Sequence, residues 1–149
     1  MMQTEDKYIL LIEDDGAMAN SIQEAIKKKN NFVIVKAFSY ISAIGKWMEA
    51  GKIGREFEYI ILDLNISVAG MPGKLLKEYY PYSGLAFFFQ ICDNNPDLRK
   101  KYEKITFMYT GYEIPLKSKA LEKGWDLSGL KILSKRPDSI DELIQMMNF

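Results

Sequence analysis

The 149 residues include no histidine. That absence removes His-based triads, imidazole metal ligands and the commonest general base, so carboxylates, lysine amines and hydroxyls must carry any chemistry. Cysteine occurs once, as Cys92. An internal disulfide and a Cys/His metal cluster are both excluded, and a reducing, cytoplasmic compartment is expected. No apolar run approaches the roughly 18 residues of a membrane-spanning helix. The first residues, Met1 to Lys7, are polar and acidic, unlike a secretory leader. Neither sign of charge is in excess, since 20 Lys and Arg balance 20 Asp and Glu. A dedicated nucleic-acid binder would carry a basic stripe, so no direct nucleic-acid contact is expected. Repeats, linkers and low-complexity stretches are also missing. With 48% hydrophobic and 27% charged residues, the chain reads as one globular domain over 1–149.

What is present is a series of short apolar runs that each end in a polar side chain. Tyr59-Ile60-Ile61-Leu62 is followed by Asp63-Leu64-Asn65. A continuous apolar run of this length suits a strand buried on both faces of a parallel sheet. Tyr8 to Ile12 has the same character and ends in Glu13-Asp14-Asp15, with Gly16 breaking it. Ile105 to Tyr109 ends at Thr110-Gly111, and Leu130 to Leu133 ends at Ser134-Lys135-Arg136-Pro137. Phe32 to Phe38 is a further strand.

Helical spacing lies between these runs. Met18, Ile22, Ala25 and Ile26 mark a helix over 17–29, closed by Lys27, Lys28 and Lys29 where the helix dipole favours cations. Ser39 is placed to cap a helix through Glu49, with Ile41, Ile44, Trp47 and Met48 facing inward. Gly84 to Cys92 reads as a very apolar helix with Leu85, Phe88, Phe89 and Cys92 on one face, terminated by Asp93-Asn94-Asn95-Pro96. A short helix over 116–123 and a last one from Ser139 to about Met147, with capping-box spacing, complete the set. Five strands alternating with five helices predict a parallel α/β sheet covered on both faces.

One stretch breaks the rhythm. Ile66 to Ser83 holds Gly70, Pro72, Gly73, Pro81 and Tyr79-Tyr80, and is far longer than an ordinary strand-to-helix connection. It reads as a lid, a partner surface or an inserted loop, with at most one helical turn near 75–80. Its glycines and proline permit alternative paths, and Leu75, Leu76, Tyr79, Tyr80 and Tyr82 offer the apolar contacts favoured at interfaces.

In a parallel α/β sheet, ligands bind outside the carboxyl ends of the strands. Those ends carry Glu13 and Asp14, Asp63, Thr110 and Lys135. Singly, each has an ordinary role: acids at a helix N-terminus, a threonine cap, a solvated lysine. Together they form a set. Clustered carboxylates are hard oxygen ligands suited to Mg²⁺, which takes one or two carboxylates plus a phosphate. A lysine and a hydroxyl serve phosphoryl oxygens, and an Asp can be the nucleophile.

With these motifs in this order, the chain resembles a response-regulator receiver domain, the phosphoacceptor module of two-component signalling. Ile-Leu-Leu-Ile-Glu13-Asp14-Asp15, Ile-Ile-Leu-Asp63-Leu-Asn65, Phe-Met-Tyr-Thr110-Gly111 and Ile-Leu-Ser-Lys135 carry the resemblance, with Pro96-Asp97-Leu98-Arg99 and Ala120-Leu121-Glu122-Lys123-Gly124 between them. It implies a flavodoxin-like five-stranded parallel sheet in the order 2-1-3-4-5. It also implies Mg²⁺-dependent transfer of a phosphoryl group from a sensor histidine kinase or phosphotransfer protein to Asp63. By the same resemblance Asp14 and Asp63 ligate the metal, Glu13 acts through water, Asn65 uses its backbone carbonyl, and Thr110 and Lys135 assist.

Three departures stand out. The loop 66–83 is longer than the family pattern. Arg136 intervenes before Pro137 and is a rival cation to Lys135. Ile132 replaces the aromatic that the family uses to report phosphorylation, which leaves Tyr109 and Tyr112 as substitutes. With no further segment after Phe149, a stand-alone receiver signalling through an unknown downstream protein is expected, not a true enzyme. The alternatives are a degenerate receiver that binds partners without phosphorylation and a haloacid-dehalogenase-type phosphohydrolase. The latter needs an acid where Asn65 stands.

Overall fold

A computed structural model describes residues 6–111, 113–136 and 139–148. Five parallel strands form one sheet in the order β2-β1-β3-β4-β5: β1 (Tyr8–Ile12), β2 (Val33–Ala37), β3 (Phe57–Asp63), β4 (Thr106–Thr110) and β5 (Lys131–Ser134). This is the expected flavodoxin-like order, and β3 is the central strand.

The apolar runs explain both faces. Side chains alternate along a strand, so a run with no polar break feeds two cores. Leu10, Ile12, Ile60, Leu62 and Met108 enter one core. Ile9, Leu11, Ile61, Phe107 and Tyr109 enter the other. The second core is closed by α1 (Gly16–Lys29) and α7 (Ser139–Met147), which pack on each other. The edge strand β5 is only half-buried along its length.

The described residues form seven helices where five are expected, and the two extra ones lie on the first core. Besides α2 (Tyr40–Lys52) and α6 (Glu113–Lys123), three helices lie between β3 and β4: α3 (Gly73–Tyr79), α4 (Ser83–Cys92) and α5 (Pro96–Ile105). α4 is buried nearly all round, from Leu85 through Phe88 to Ile91 and Cys92. The sequence reading misses α5 although Leu98, Tyr102 and Ile105 fall at helical spacing, because Ile105 is taken into the following strand; the helix's start signal is also present. Asn95 caps it through Asp97 and Leu98 amides, and Pro96 occupies the first turn. Arg99 then ties α5 to the chain beyond α6, donating to the carbonyls of Asp126 and Ser128 and pairing with Glu103.

α2 also corrects an expectation. Its buried side chains are Tyr40, Ala43 and Ala50, with Ile44 and Trp47 partly buried, while Ile41 and Met48 are exposed. The helix begins at Tyr40, capped by Ser39, and Tyr40 itself points inward. That fixes the inward face on 40, 43, 47 and 50 and turns Ile41 and Met48 to solvent.

The segment 66–83 is not an open loop. Its two ends are joined, since the Ser83 hydroxyl donates to the Ile66 carbonyl at 2.6 Å. Its first half supplies carbonyls to the otherwise unpartnered N-terminal amides of α2: Tyr40 donates to Ser67 and Ile41 to Ala69. Its second half is α3, and there Tyr79 stacks on Trp125 while Tyr82 meets the same ring edge-on and is buried. Of the side chains expected at a partner surface, only Tyr80 is largely exposed, at 60%. The rest pack, because a segment this apolar gains more from the first core than from solvent.

Among the described residues no helix is long and apolar enough to cross a membrane.

Candidate functional site

Each strand end delivers its side chain to one edge of the sheet for a local reason. The chain leaves β1 at Ile12, and the Glu13 amide still bonds the Ala37 carbonyl of β2 at 3.0 Å. This extra ladder bond keeps Glu13 in the sheet, and its side chain is fully buried. Asp15 caps α1, accepting from the Ala17 and Met18 amides. The three adjacent acids therefore divide their work. Asp15 has the ordinary capping role, and Glu13 and Asp14 face the site.

Asp63 ends β3 with 1% exposure. Its Oδ1 accepts the Asn65 amide at 2.9 Å, which fixes the carboxylate plane. Its Oδ2 lies 3.2 Å from the Lys135 ammonium. Lys135 also reaches Glu13 Oε1 at 3.4 Å, and its own amide bonds the Thr110 carbonyl, so the backbone aims it. Its ammonium is about a third exposed (34%) and sits 5.4 Å from the Tyr109 ring centre. Arg136 turns away to pair with Glu142. The geometry thus makes Lys135, and not Arg136, the cation of this cluster.

Thr110, fully buried, donates its hydroxyl to Asn65 Oδ1 at 2.6 Å. Asn65 Nδ2 donates to the Pro81 carbonyl at 3.0 Å. The six candidates Glu13, Asp14, Asp63, Asn65, Thr110 and Lys135 thus share one edge of the sheet. Tyr112, one suggested substitute for the missing aromatic, lies outside the described residues. Tyr109 is buried in the second core and its hydroxyl has no well-formed hydrogen bond among the described residues.

The electrostatics follow from burial. Glu13 is pushed up to about 9, first by desolvation and then by Asp63, with Lys135 working against the rise. Asp14 rises for the same two reasons. Burial opposes the Lys135 charge, but Asp63 and Glu13 outweigh it and hold the ammonium above its ordinary value. Burial, then Glu13 and Asp63, push Tyr109 well above the usual phenol range, so it stays neutral.

A divalent cation fits this arrangement. One oxygen each from Glu13, Asp14 and Asp63 lie within 4.8 Å of one another. Glu13 Oε2 is buried with no hydrogen-bond partner among the described residues. A buried carboxylate oxygen left unpaired is costly, and a cation or its water would satisfy it.

A contact missed by the sequence reading lies beneath the site. Gly84, at the start of α4, donates its amide to the Leu64 carbonyl at 3.0 Å. A Cβ there would fall 2.2 Å from the Asp63 carbonyl oxygen. Only glycine lets α4 approach the turn after β3 this closely.

No known family model matches the sequence, and no curated protein does. Solved structures do. A CheY-like response regulator receiver domain protein from Methanospirillum hungatei JF-1 aligns with 96% of this chain and 91% of its own, at 17% identity and a TM-score of 0.60. A Burkholderia pseudomallei response regulator with a phosphorylated aspartic acid, a calcium ion and citrate aligns over 96% of this chain and 67% of its own, at 22% identity and a TM-score of 0.58. The Mn(2+)-bound response regulator Rcp1 aligns over 95% and 88%, at 22% identity and a TM-score of 0.58. The chain has the fold of response-regulator receiver domains.

Proposed function

We propose that the chain is a receiver that accepts a phosphoryl group on Asp63 from a histidine kinase or phosphotransfer protein and signals through protein contacts. The observation that carries this reading is a nearly inaccessible Asp63 held 3.2 Å from Lys135 beside two further acids. A buried carboxylate at the end of the central strand, paired to a cation beside a second buried acid with an oxygen unpartnered among the described residues, is costly unless it is used.

The chemistry needs only residues already in place. An Asp63 carboxylate oxygen attacks the donor phosphorus. An O–P bond forms, the N–P bond of a donor phosphohistidine breaks, and the electron pair leaves on the imidazole, which takes a proton. Lys135 holds one phosphoryl oxygen and the Thr110 hydroxyl another, replacing solvent with fixed donors. Asp63 stays oriented by the Asn65 amide throughout. Mg²⁺, when bound by Asp14 and Asp63, with Glu13 acting through water and the Asn65 backbone carbonyl, supplies the charge that neutralises the acids and the incoming oxygens. Open space beside Gly111 leaves room for the group to enter. The named Burkholderia and Rcp1 structures support the reading, since a phosphorylated aspartic acid and bound divalent ions occur on this fold.

Incubation with acetyl phosphate and Mg²⁺, followed by intact mass, tests it. One acid-labile phosphoryl group per chain is expected, and none in Asp63→Asn. Catalytic release of inorganic phosphate, proportional to protein and saturable in donor, with no adduct accumulating, would point to a phosphohydrolase. No adduct and no turnover in the parent would leave a phosphorylation-independent binding module.

A further inference from the structure

We propose that Asn65 is the relay between the site and the inserted segment: it couples the Thr110 hydroxyl to the backbone at Pro81, so that phosphorylation of Asp63 loosens 80–84. The inference rests on the phosphoacceptor reading and assigns the output route that Ile132 cannot supply. A side chain at 132 with no ring or hydroxyl cannot follow Thr110 inward.

Three contacts converge on Asn65. Its backbone amide donates to Asp63 Oδ1 at 2.9 Å, its Oδ1 accepts the Thr110 hydroxyl at 2.6 Å, and its Nδ2 donates to the Pro81 carbonyl at 3.0 Å. The amide orientation is chemically determined. A carbonyl can only accept, so the NH₂ must face Pro81 and the oxygen must face Thr110. The side chain therefore spans the distance from the site to the exit of the insertion in one residue.

The relay works by exclusion. A threonine hydroxyl has one proton to donate. While it serves Asn65 Oδ1 it cannot serve a phosphoryl oxygen on Asp63. A charged acceptor makes the stronger bond, so phosphorylation draws the proton away. Asn65 Oδ1, half-buried, then lacks its donor and the amide turns to find another. The turn carries Nδ2 off the Pro81 carbonyl. Around that carbonyl the backbone is also held by the Tyr80 amide to Leu76, the Tyr82 amide to Tyr79, the Ser83 hydroxyl to Ile66, the Gly84 amide to Leu64, and Lys119 to the Tyr80 carbonyl, so losing the Asn65 bond loosens the stretch without releasing it. Tyr80, the exposed aromatic of the insertion, lies on this stretch. Asn65 is thus a positioning residue, acting through Thr110 on one side and Pro81 on the other.

Amide hydrogen exchange with beryllium fluoride and Mg²⁺ as the acyl-phosphate mimic tests this, with ¹⁹F resonances reporting bound fluoride. In the parent, exchange at the Tyr80, Tyr82, Ser83 and Gly84 amides should quicken roughly two- to tenfold on mimic binding, the worth of one hydrogen bond, while α7 amides stay unchanged. Without the mimic, Thr110→Val and Asn65→Ala should each quicken the same four amides, the pair together no more than either alone. Thr110→Ser, which keeps the donor, should match the parent. Bound fluoride with unchanged exchange at 80–84 overturns the relay alone. Additive effects of Thr110→Val and Asn65→Ala also overturn it. A parent that shows no bound fluoride overturns the phosphoacceptor reading and the relay with it.

Discussion

Replacing Gly84 by Ala probes the tightest of the glycine positions among the described residues. The new Cβ would lie 2.2 Å from the Asp63 carbonyl oxygen, 2.8 Å from Leu64 Cα and 3.0 Å from the Asp63 carbonyl carbon. All three neighbours are backbone, so no side-chain rotation relieves the clash. Either α4 or the turn after β3 must move by about an ångström. α4 is pinned by Leu85, Phe87 and Phe88, all fully buried, and the turn is pinned by the Leu64 amide on the Tyr109 carbonyl. Overpacking of this kind costs about 1–3 kcal/mol. Weakening the Gly84 amide bond to Leu64 adds about 1 kcal/mol. The gain from replacing glycine in a helix recovers about 0.5–1 kcal/mol. The net expectation is a loss of about 1–3.5 kcal/mol. With a urea dependence near the middle of the usual range, about 2 kcal/mol per molar, the midpoint should fall by about 0.5–2 M. The assay is urea unfolding followed by far-ultraviolet circular dichroism and tryptophan fluorescence without divalent ions. Gly45→Ala in α2 is the matched control, because a Cβ there meets nothing within 4 Å. It should gain about 0.5–1 kcal/mol. A Gly84→Ala midpoint within error of the parent would refute the claim that α4 sits against the phosphoacceptor turn.

Lys135→Met should leave Glu13 and Asp63 facing each other without a cation. The loss is about 1–3 kcal/mol, below the full cost of breaking a buried pair because the ammonium is partly exposed, and thermal unfolding without divalent ions reads it. Divalent affinity should rise with pH. Folded Glu13, at about 9, holds its proton more tightly than in the unfolded chain. Its contribution to stability is full below the unfolded value and is lost as pH rises toward 9, and a cation must displace that proton. Calorimetric titration with Mg²⁺ in buffers of different ionisation heat should show proton release near neutral pH. A pH-independent affinity from 6 to 9 would argue against Glu13 facing the ion. Asp14→Ala should abolish the Mg²⁺-induced rise in unfolding temperature that mass action predicts for the parent. Asp15→Ala should cost about 1 kcal/mol as a lost cap, with Mg²⁺ binding intact.

The sequence by itself determined the sheet and the chemistry at its edge. A strand buried on both faces is apolar through its buried stretch, so β1 and the inner parts of β3 and β4 are legible as runs, despite the exposed Glu58 near the start of β3, and the first polar residue after each run marks the strand end. In a parallel sheet those ends share one edge, which is why Glu13, Asp14, Asp63, Thr110 and Lys135 could be grouped before any contact was known. Caps are local too, and Ser39 could be read from a single residue, whereas the Ser139 hydroxyl, expected to open a capping box, bonds Ser134 and Arg136 instead. Packing decided the rest. α5 ends at Ile105, which also opens the apolar run of β4, so its helical spacing is read as part of the strand, and the inward face of α2 depended on where the helix began. The choice of Lys135 over Arg136 needed the backbone to aim one side chain at two carboxylates and the other at Glu142. The burial of Glu13 beside an exposed Asp14 needed the bond to β2. The segment 66–83 looked like an open loop because glycine and proline punctuate it. Its anchors are contacts 16 to 46 residues away in sequence, from Asn65 to Pro81 and from Thr110 to Asn65, and from Tyr79 to Trp125. Pairings of that range carry no local signature, since they exist only once the sheet has brought their partners together.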